Sequence, residues 1–321
     1  MMRDAILNFA KQFEFKPQIQ NKKNFKKATK FAVIGMGGSH LAADLLLIWD
    51  PSLDIEIHRD YGLPKKRDLK QRLVILSSYS GNTEEVVSAF GEALVKKLTV
   101  AAVSVGGKLE QIAIKHGVPF IKMPDTNIQP RSALGFSLMS LMTFMGINNG
   151  LREAMTLAKL INPAKLEKQG KNIAQNIRDR VPVIYSSNRN LSIAYNWKIK
   201  FNETGKIPAF YNVIPELNHN EMNGFDVKDS SRRLSRQFYF IFLKDSADHP
   251  RVQKRMQITA DLYKKRGLPV QTIELKGKNV FEKIFSSLVI SDWAATLTAE
   301  AYGLESEQVP MIEEFKKQIT K

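Results

Sequence analysis

The feature that most constrains how this chain folds is a repeated order of short apolar runs, Gly- or Ser-rich turns and helical segments. The apolar runs 31–34 and 72–77 each end at such a turn, and apolar residues at helical spacing follow both turns. A short continuous apolar run is typical of a strand that is buried on both faces of a parallel sheet. The alternation of such strands with helices over about 120 residues predicts an α/β fold, with a doubly wound parallel sheet flanked by helices.

A second series with the same order follows a break at 148–150. Residues 151–179 are polar and are expected to form a helical connector. The second series is expected to place strands at 181–185, 209–213, 237–243 and 268–275, and helices at 192–204, 249–266, 280–300 and 309–319. Because the two series have the same element order, we predict two domains of one fold class, at residues 1–150 and 151–321.

Composition limits the function classes. The chain has 321 residues and no cysteine, so it carries neither disulfides nor thiolate nucleophiles, which fits a reducing compartment. Residues 1–11 predict an amphipathic helix rather than a signal peptide, and no apolar run approaches the length of a membrane span. We therefore expect a cytoplasmic protein with no membrane partner.

The formal net charge of +16 raises the question of nucleic-acid binding. The basic residues are spread along the chain, and their short clusters accompany no helix-turn-helix, RNA-binding or zinc pattern. We interpret them as a generally basic surface that attracts an anionic metabolite, and we expect no nucleic-acid partner.

The turn at 78–83 has the composition of a phosphate-binding site. It joins the second apolar run to a helical segment, and it combines the hydroxyls of Ser78, Ser80 and Thr83 with Gly81. The start of a helix leaves backbone N–H groups unpaired, and the helix dipole favours an anion there. The alternative is an ordinary turn in which a Thr or Asn side chain caps the helix. Three hydroxyls and a glycine in one turn favour a site for a phosphate monoester.

A second turn of this type, Gly-Met-Gly-Gly-Ser at 35–39, lies between the first apolar run and its helix. It resembles the GxGxxG fingerprint of dinucleotide-binding proteins only loosely, because the last glycine is missing. The fingerprint also expects an acidic residue at the end of the next strand, where it binds the ribose of the cofactor. That strand ends in His58, Arg59 and Asp60, so the sequence does not decide this point. A nicotinamide-dependent dehydrogenase is therefore kept as an alternative interpretation of this turn.

Five segments taken together resemble one known family. They are the turns at 35–39 and 78–83, Pro-Arg-Ser-Ala-Leu-Gly at 130–135, Asn-Glu at 202–203 and Pro-Glu-Leu-Asn-His-Asn-Glu-Met-Asn-Gly at 215–224. Their order is similar to that in the bifunctional phosphoglucose/phosphomannose isomerases of the sugar isomerase (SIS) superfamily. The resemblance implies two flavodoxin-like SIS domains. It also implies an enzyme that interconverts glucose 6-phosphate and mannose 6-phosphate with fructose 6-phosphate through a cis-enediol, with no cofactor.

The resemblance also implies roles for the matching positions. The phosphate would be held by Ser78, Ser80 and Thr83, and the sugar would lie beside Gly37, Gly38 and Ser39. Arg131 would stabilise the enediol intermediate, and Glu203 would move the proton between C1 and C2. His219 would open the sugar ring from the neighbouring subunit, which implies a homodimer with shared active sites. Lys316, in the last helix, would assist ring opening.

The residues by themselves support this chemistry but leave alternatives open. Isomerisation of an aldose to a ketose needs a base for the proton next to the carbonyl and a cation where negative oxygen develops. A carboxylate, an arginine and a histidine meet that need. Glu203 could instead be a helix-end charge paired with Lys200 or Lys206, His219 a loop histidine and Arg131 the start of a helix.

Two further hypotheses concern metal and regulation. A metal pair of His219 and Glu221 has no third ligand in view, so we expect no metal site. A non-catalytic SIS protein that senses a sugar phosphate would need the Ser/Thr turn but not Glu203. The sequence departs from the family pattern at Asn196, Thr204 and Phe225.

Overall fold

The computed structural model describes residues 2–319, and these residues divide into two compact units. The N-terminal unit comprises residues 7–162, and the C-terminal unit combines residues 2–6 with residues 163–319. In the C-terminal unit, the guanidinium of Arg3 donates to the two carboxylate oxygens of Glu300 at 2.8 and 2.7 Å. This contact ties the first helix, α1 (Met2–Leu7), to the C-terminal unit. The domain boundary at residue 150 stays a prediction from the sequence.

The N-terminal unit is built on a six-stranded sheet. Its strands are β1 (Ile19–Gln20), β2 (Lys30–Ile34), β3 (Asp54–His58), β4 (Leu73–Ser77), β5 (Val100–Ser104) and β6 (Phe120–Lys122). Its helices are α2 (Gly38–Trp49), α3 (Glu84–Val95), α4 (Gly107–His116), α5 (Leu134–Met145), α6 (Asn148–Met155) and α7 (Leu157–Leu160), with a 3-10 helix at Phe9–Glu14 before the first strand. The expected strands at 31–34 and 72–77 and the helices that follow them are confirmed. The expected break at 148–150 is wrong, because α6 begins at Asn148.

The sheet has the order β1-β6-β5-β4-β2-β3, and every pairing except that of β1 with β6 is parallel. All residues of β4 and β5 are buried, as strands between two layers of helices require. The sequence does not predict β1, because two residues are too few to show a period. It pairs Ile19 with Ile121 at the edge of the sheet.

The C-terminal unit is built on a four-stranded parallel sheet of order β10-β9-β7-β8. The strands are β7 (Val181–Ser187), β8 (Phe210–Ile214), β9 (Phe238–Lys244) and β10 (Val270–Glu274). The helices are α8 (Pro163–Asn176), α9 (Leu191–Glu203), α10 (Glu221–Gly224), α11 (Arg232–Ser235), α12 (Pro250–Lys265), α13 (Val280–Ala301) and α14 (Pro310–Ile319). We call the side where the strands begin the amino edge and the side where they end the carboxyl edge.

Aromatic side chains dominate the core of this unit. Tyr185, Phe240, Phe242 and Tyr263 are buried in one cluster, in which the ring centroids of Phe240 and Tyr263 lie 4.6 Å apart. Tyr263 belongs to α12, which covers this face of the sheet. Burial of such rings contributes the largest apolar area per residue and therefore dominates the packing energy.

The segment 151–179 is more than the expected connector. Its helix α8 packs against α13, and the indole N–H of Trp293 donates to the carbonyl of Pro163 at 2.8 Å. Ile173 and Ile177 of this segment are buried. Only a narrow stripe of α8 is apolar, and most of its residues are polar, which is why the sequence suggests a connector. Within residues 2–319, no helix is both long and apolar enough to span a bilayer.

Candidate active site

The turn between β4 and α3 keeps its hydroxyls close together. Ser78 Oγ lies 2.7 Å from Thr83 Oγ1 and accepts a hydrogen bond from the N–H of Gly81 at 3.0 Å. Ser78 is buried, Thr83 is half-buried and Ser80 is exposed. Thr83 stands at the N-cap position of α3, yet its side chain does not cap the helix. Since the capping residue leaves the first N–H groups of α3 to other partners, the turn keeps the features of an anion site.

The turn before α4 packs directly against this one. Asn82 Oδ1 accepts the backbone N–H of Lys108 at 3.1 Å, so the Asn82 side chain supports α4 rather than α3. Gly107 has a φ of +74°, and a Cβ there would lie 2.5 Å from the carbonyl oxygen of Ser80. A glycine is therefore required at this position, because any larger residue would displace the turn that carries Ser80.

Ser39 links the glycine-rich turn before α2 to the Ser/Thr turn. Its hydroxyl accepts the N–H of Tyr79 at 2.9 Å, and its carbonyl accepts the hydroxyl of Ser77 at 2.8 Å. The two turns follow β2 and β4, which are neighbours in the sheet. The carboxyl ends of adjacent parallel strands are where doubly wound sheets bind ligands.

The backbone at Arg131 packs closely against Gly38 in the glycine-rich turn before α2. A Cβ on Gly38 would lie 2.7 Å from the carbonyl carbon of Pro130 and 2.9 Å from the backbone nitrogen of Arg131. Only glycine allows α2 to approach the turn at Pro130–Ser132 so closely. The Arg131 side chain is 2% exposed. The N-terminal unit therefore gathers seven of the predicted site residues at one edge of its sheet: Gly37, Gly38, Ser39, Ser78, Ser80, Thr83 and Arg131.

The sequence does not predict Gln12, which holds the Arg131 turn in place. Gln12 is buried, its Nε2 donates to the carbonyl of Ser132 at 2.6 Å, and its Oε1 accepts the N–H of Gly135 at 2.9 Å. The amide thus bonds the turn on one side and the first turn of α5 on the other, where backbone donors have no helical partner. A single polar residue in a short 3-10 helix gives no sequence signal for this role.

In the C-terminal unit, Glu203 is the last residue of α9 and is half-buried. Lys206 donates to the backbone carbonyl of Glu203 at 2.6 Å and to the carbonyl of Gln308. These bonds join the end of α9 to the segment that precedes α14. Lys200, which the sequence suggests as a partner of Glu203, makes a buried ion pair with Asp292 at 2.5 Å.

The segment that carries His219 is more regular than the expected loop. It forms a 3-10 helix at Glu216–His219 and then α10, after a cis peptide bond between Ile214 and Pro215. The neighbours of His219 are anchored: Asn218 Nδ2 donates to Thr259 Oγ1 at 2.8 Å, and Asn220 Nδ2 donates to Glu216 Oε1 at 2.9 Å. His219 itself is exposed. The hydrogen bonds of Asn218 and Asn220 fix the backbone on both sides of His219.

The Glu221 side chain is held by two hydrogen bonds. Its carboxylate accepts the hydroxyl of Tyr185 and the side-chain amide of Asn212, the latter at 2.5 Å. Burial raises the pKa of the Tyr185 hydroxyl, and the neighbouring Tyr263 and Glu221 raise it further. Tyr185 therefore stays protonated as a donor to Glu221. Within residues 2–319, no group of three or more His, Cys, Asp and Glu residues is placed to hold a metal ion.

Lys316 lies on α14, where its ammonium is 2.8 Å from Glu313. Every residue of α14 is exposed, including Met311 at 82% and Phe315 at 63%. The structure thus ties the start of α14 to the end of α9 through Lys206, but it leaves the helix that carries Lys316 on the surface of its unit.

Comparison with known proteins places this geometry in a family. Residues 166–319 match the family described as the bacterial phospho-glucose isomerase C-terminal SIS domain. A bifunctional phosphoglucose/phosphomannose isomerase from Thermoplasma volcanium is 34% identical over 310 residues, covering 95% of this chain and 96% of that protein. A protein of the same name from Aquifex aeolicus is 30% identical over 321 residues, covering 99% of this chain and 98% of that protein. The chain belongs to the bifunctional phosphoglucose/phosphomannose isomerase family.

A solved structure agrees with the family at the level of fold. The C-terminal domain of glucosamine-fructose-6-phosphate aminotransferase from Francisella tularensis superposes with a TM-score of 0.69 at 13% identity, covering 96% of this chain and 98% of that chain. The predicted fold of parallel α/β SIS domains is confirmed. As a member of the phosphoglucose/phosphomannose isomerase family, the chain is an isomerase, and the sensor hypothesis is not favoured.

Two departures from the pattern of the phosphoglucose/phosphomannose isomerases have a packing explanation. Phe225 belongs to the aromatic core, with its ring centroid 4.8 Å from that of Phe240 and 5.6 Å from that of Tyr263. Asn196 is buried, and its amide donates to the carbonyl of Ser192 at 2.7 Å within α9. Thr204 is fully buried directly after Glu203, and nothing in the structure explains that substitution.

Proposed function

We propose that this chain interconverts fructose 6-phosphate with glucose 6-phosphate and mannose 6-phosphate. The observation that carries the proposal is the cluster of hydrogen-bond donors around Ser80 and Thr83 at one edge of a parallel sheet. Ser39 bonds this turn, and the adjacent Gly38 packs against the backbone of the buried Arg131. Family membership supplies the class of substrate, a hexose phosphate. A cytoplasmic location belongs to the proposal and rests on the sequence alone.

The phosphate is assigned to the Ser/Thr turn. The exposed hydroxyl of Ser80, the hydroxyl of Thr83 and the first N–H groups of α3 supply donors, and the helix dipole favours the negative charge. Ser78 is buried and bonded to both Thr83 and Gly81. We therefore assign Ser78 to orienting Thr83 as well as to binding the phosphate. Gly37, Gly38 and Ser39 are assigned to the sugar.

The chemistry is assigned to Glu203, Arg131, His219 and Lys316. Glu203 takes the proton from one of the two carbons C1 and C2 and returns it to the other, while Arg131 stabilises the negative oxygen of the enediol. The cis-enediol has no stereocentre at C2, so return of the proton to either face gives the glucose or the mannose epimer. His219 and Lys316 serve the opening of the sugar ring, and no metal or cofactor enters these steps.

The topology of the C-terminal unit supports a shared active site. The helix α9 runs from the carboxyl end of β7 to the amino end of β8, so Glu203 lies at the amino edge. His219 follows β8 and lies at the carboxyl edge. A homodimer in which His219 serves the site of the other subunit resolves this separation. The uncovered apolar side chains of α14 also favour association.

An assay with fructose 6-phosphate that quantifies both aldose products tests the proposal. We expect the wild-type protein to form glucose 6-phosphate and mannose 6-phosphate, and Glu203→Gln to lose at least about 100-fold in turnover, the contribution typical of a general base. Glu92→Gln is the matched control, since Glu92 forms an exposed pair with Lys96. A wild-type protein that binds fructose 6-phosphate and forms neither aldose would contradict the proposal.

A further inference from the structure

A concave site lies at the amino edge of the C-terminal sheet, apart from the Ser/Thr turn. It is a cavity of about 350 Å³ whose lining includes Arg180, Arg232, Arg236 and Arg266, with Val227 and Leu268 as apolar walls. None of these residues takes part in the isomerisation chemistry above.

The sheet register brings the arginines together. Arg180 directly precedes β7, and the N–H of Val181 donates at 2.6 Å to the carbonyl of Gln237, the residue after Arg236. On the other side, Gly267 ends α12 with a φ of +74°, and the chain turns into β10 past Arg266. Three segments that begin neighbouring strands thus deliver their arginines to one edge.

Arg266 is the fixed member of the set. Its Nε and Nη2 donate to Asp226 Oδ1 at 2.8 and 2.5 Å, and its Nη1 donates to the carbonyl of Leu262 at 3.1 Å. Asp226 also lies 2.6 Å from Lys228, and both cations hold the pKa of its carboxyl below the ordinary value. One carboxylate therefore faces two cations and does not neutralise the cavity.

The other three arginines carry charge toward solvent. Arg232 lies 3.3 Å from Asp229, whose side chain is fully exposed, so water and salt weaken that pair. Within residues 2–319, neither Arg180 nor Arg236 forms an ion pair, and both side chains are exposed. Several guanidinium groups that converge on one cavity repel each other, and this repulsion is relieved when an anion binds between them.

We propose that this cavity binds a small organic phosphate with at least two negative charges, independently of the Ser/Thr turn. Arginine is the minority among the 48 basic residues of the chain, yet every basic side chain of the lining is arginine. Its planar fork binds two phosphate oxygens at once, which lysine does not. The volume falls within the range of small-molecule sites. The apolar walls suit the organic part of such a ligand.

Titration with pyrophosphate by calorimetry at constant ionic strength tests the proposal. The cavity variant is Arg180→Gln with Arg236→Gln, and the matched control is Arg178→Gln with Arg233→Gln. The control removes the same charge from exposed arginines of the same segments that do not line the cavity. We expect pyrophosphate to bind about tenfold or more weakly to the cavity variant, and within about twofold of wild type to the control. Thermal unfolding confirms that both proteins fold.

A third variant separates this site from the Ser/Thr turn. This variant carries both Ser80→Ala and Thr83→Ala, and we expect it still to bind pyrophosphate at the cavity. Conversely, we expect the cavity variant to turn over fructose 6-phosphate at the wild-type level. If the cavity variant and its control lose the same affinity for pyrophosphate, the loss comes from the general surface charge, and the proposal is overturned. The absence of pyrophosphate binding to wild type, or its loss only in the Ser80/Thr83 variant, would overturn it as well and leave the isomerase proposal intact.

Discussion

Glu203 and His219 lie at opposite edges of the same four-stranded sheet. Glu203 ends the helix that leads into β8, and His219 lies just beyond the last residue of that strand. Five residues of a parallel strand span about 16 Å. We propose that one hexose ring does not reach both side chains of one chain, and that the reaction uses a Glu203 and a His219 from different subunits.

Subunit exchange between two inactive variants follows from this relationship. Glu203→Gln and His219→Ala are each expected to be inactive alone. After mixing and exchange, about half of the dimers are heterodimers with one intact site of two, so about a quarter of wild-type activity returns. The assay is fructose 6-phosphate turnover, with exchange verified by native mass spectrometry. Background activity after verified exchange would show that both residues act within one chain.

The Ser/Thr turn is tested by removing its hydroxyls one at a time. Ser80→Ala and Thr83→Ala are expected to raise KM about tenfold or more and to lower kcat less, because each loses a hydrogen bond to a charged phosphate. Ser88→Ala is the matched control, since Ser88 is an exposed serine of α3, the helix that follows the turn. If KM and the affinity for inorganic phosphate stay at wild-type values in both turn variants, the turn is not the phosphate site.

Gln12 is expected to act on catalysis through the position of Arg131. Gln12→Ala removes buried hydrogen bonds and is expected to lower the free energy of unfolding by about 1–3 kcal/mol. Because Arg131 is assigned to the enediol, kcat should fall while KM changes little. Gln18→Ala, at an exposed position nearby, is the control. A folded Gln12→Ala protein with lower stability and unchanged kcat would limit Gln12 to a structural role.

The aromatic core makes stability fall in alkaline solution. Burial raises the pKa of Tyr263 to about 12, and it raises the pKa of Tyr185 as well. Below pH 10 both the folded and the unfolded state hold these protons, so this stabilisation is fully present. As the pH rises from about 10 to 12, the unfolded state releases the protons first and stability is lost, by about 1.4 kcal/mol per pH unit for one group.

Urea unfolding of wild type and Tyr263→Phe at several pH values checks this effect. The variant lacks the titrating hydroxyl, so its free energy of unfolding should fall less steeply between pH 10 and 12. The two proteins should differ little in slope below pH 9. Parallel curves above pH 10 would show that Tyr263 does not couple its proton to folding.

Local sequence signals were sufficient for most of the fold. The apolar runs 72–77 and 237–243 form β4 and β9, because runs this short favour a strand over a helix. Features that depend on distant partners were not predictable. Strand β1 exists only through its pairing with β6, and the apolar stripe of α8 is buried only because α13 covers it.

The same distinction holds for the candidate site. The hydroxyls of the Ser/Thr turn are adjacent in sequence, so their grouping was visible. The supports of the site were not: Gln12 holds the Arg131 turn from 119 residues away, and Tyr185 of β7 donates to Glu221, which lies 36 residues later in the chain. The resemblance to a family gave residue roles, and it did not indicate the arginine cavity at the amino edge.

The proposed reaction moves a proton between C1 and C2 of a hexose 6-phosphate. Incubation with fructose 6-phosphate in D₂O, followed by NMR of the products, tests it most directly. We expect glucose 6-phosphate and mannose 6-phosphate that both carry deuterium at C2, because the proton on Glu203 exchanges with solvent while the enediol exists. We expect no deuterated aldose with Glu203→Gln. Aldose products that stay free of deuterium after many turnovers, or no aldose at all, would contradict it.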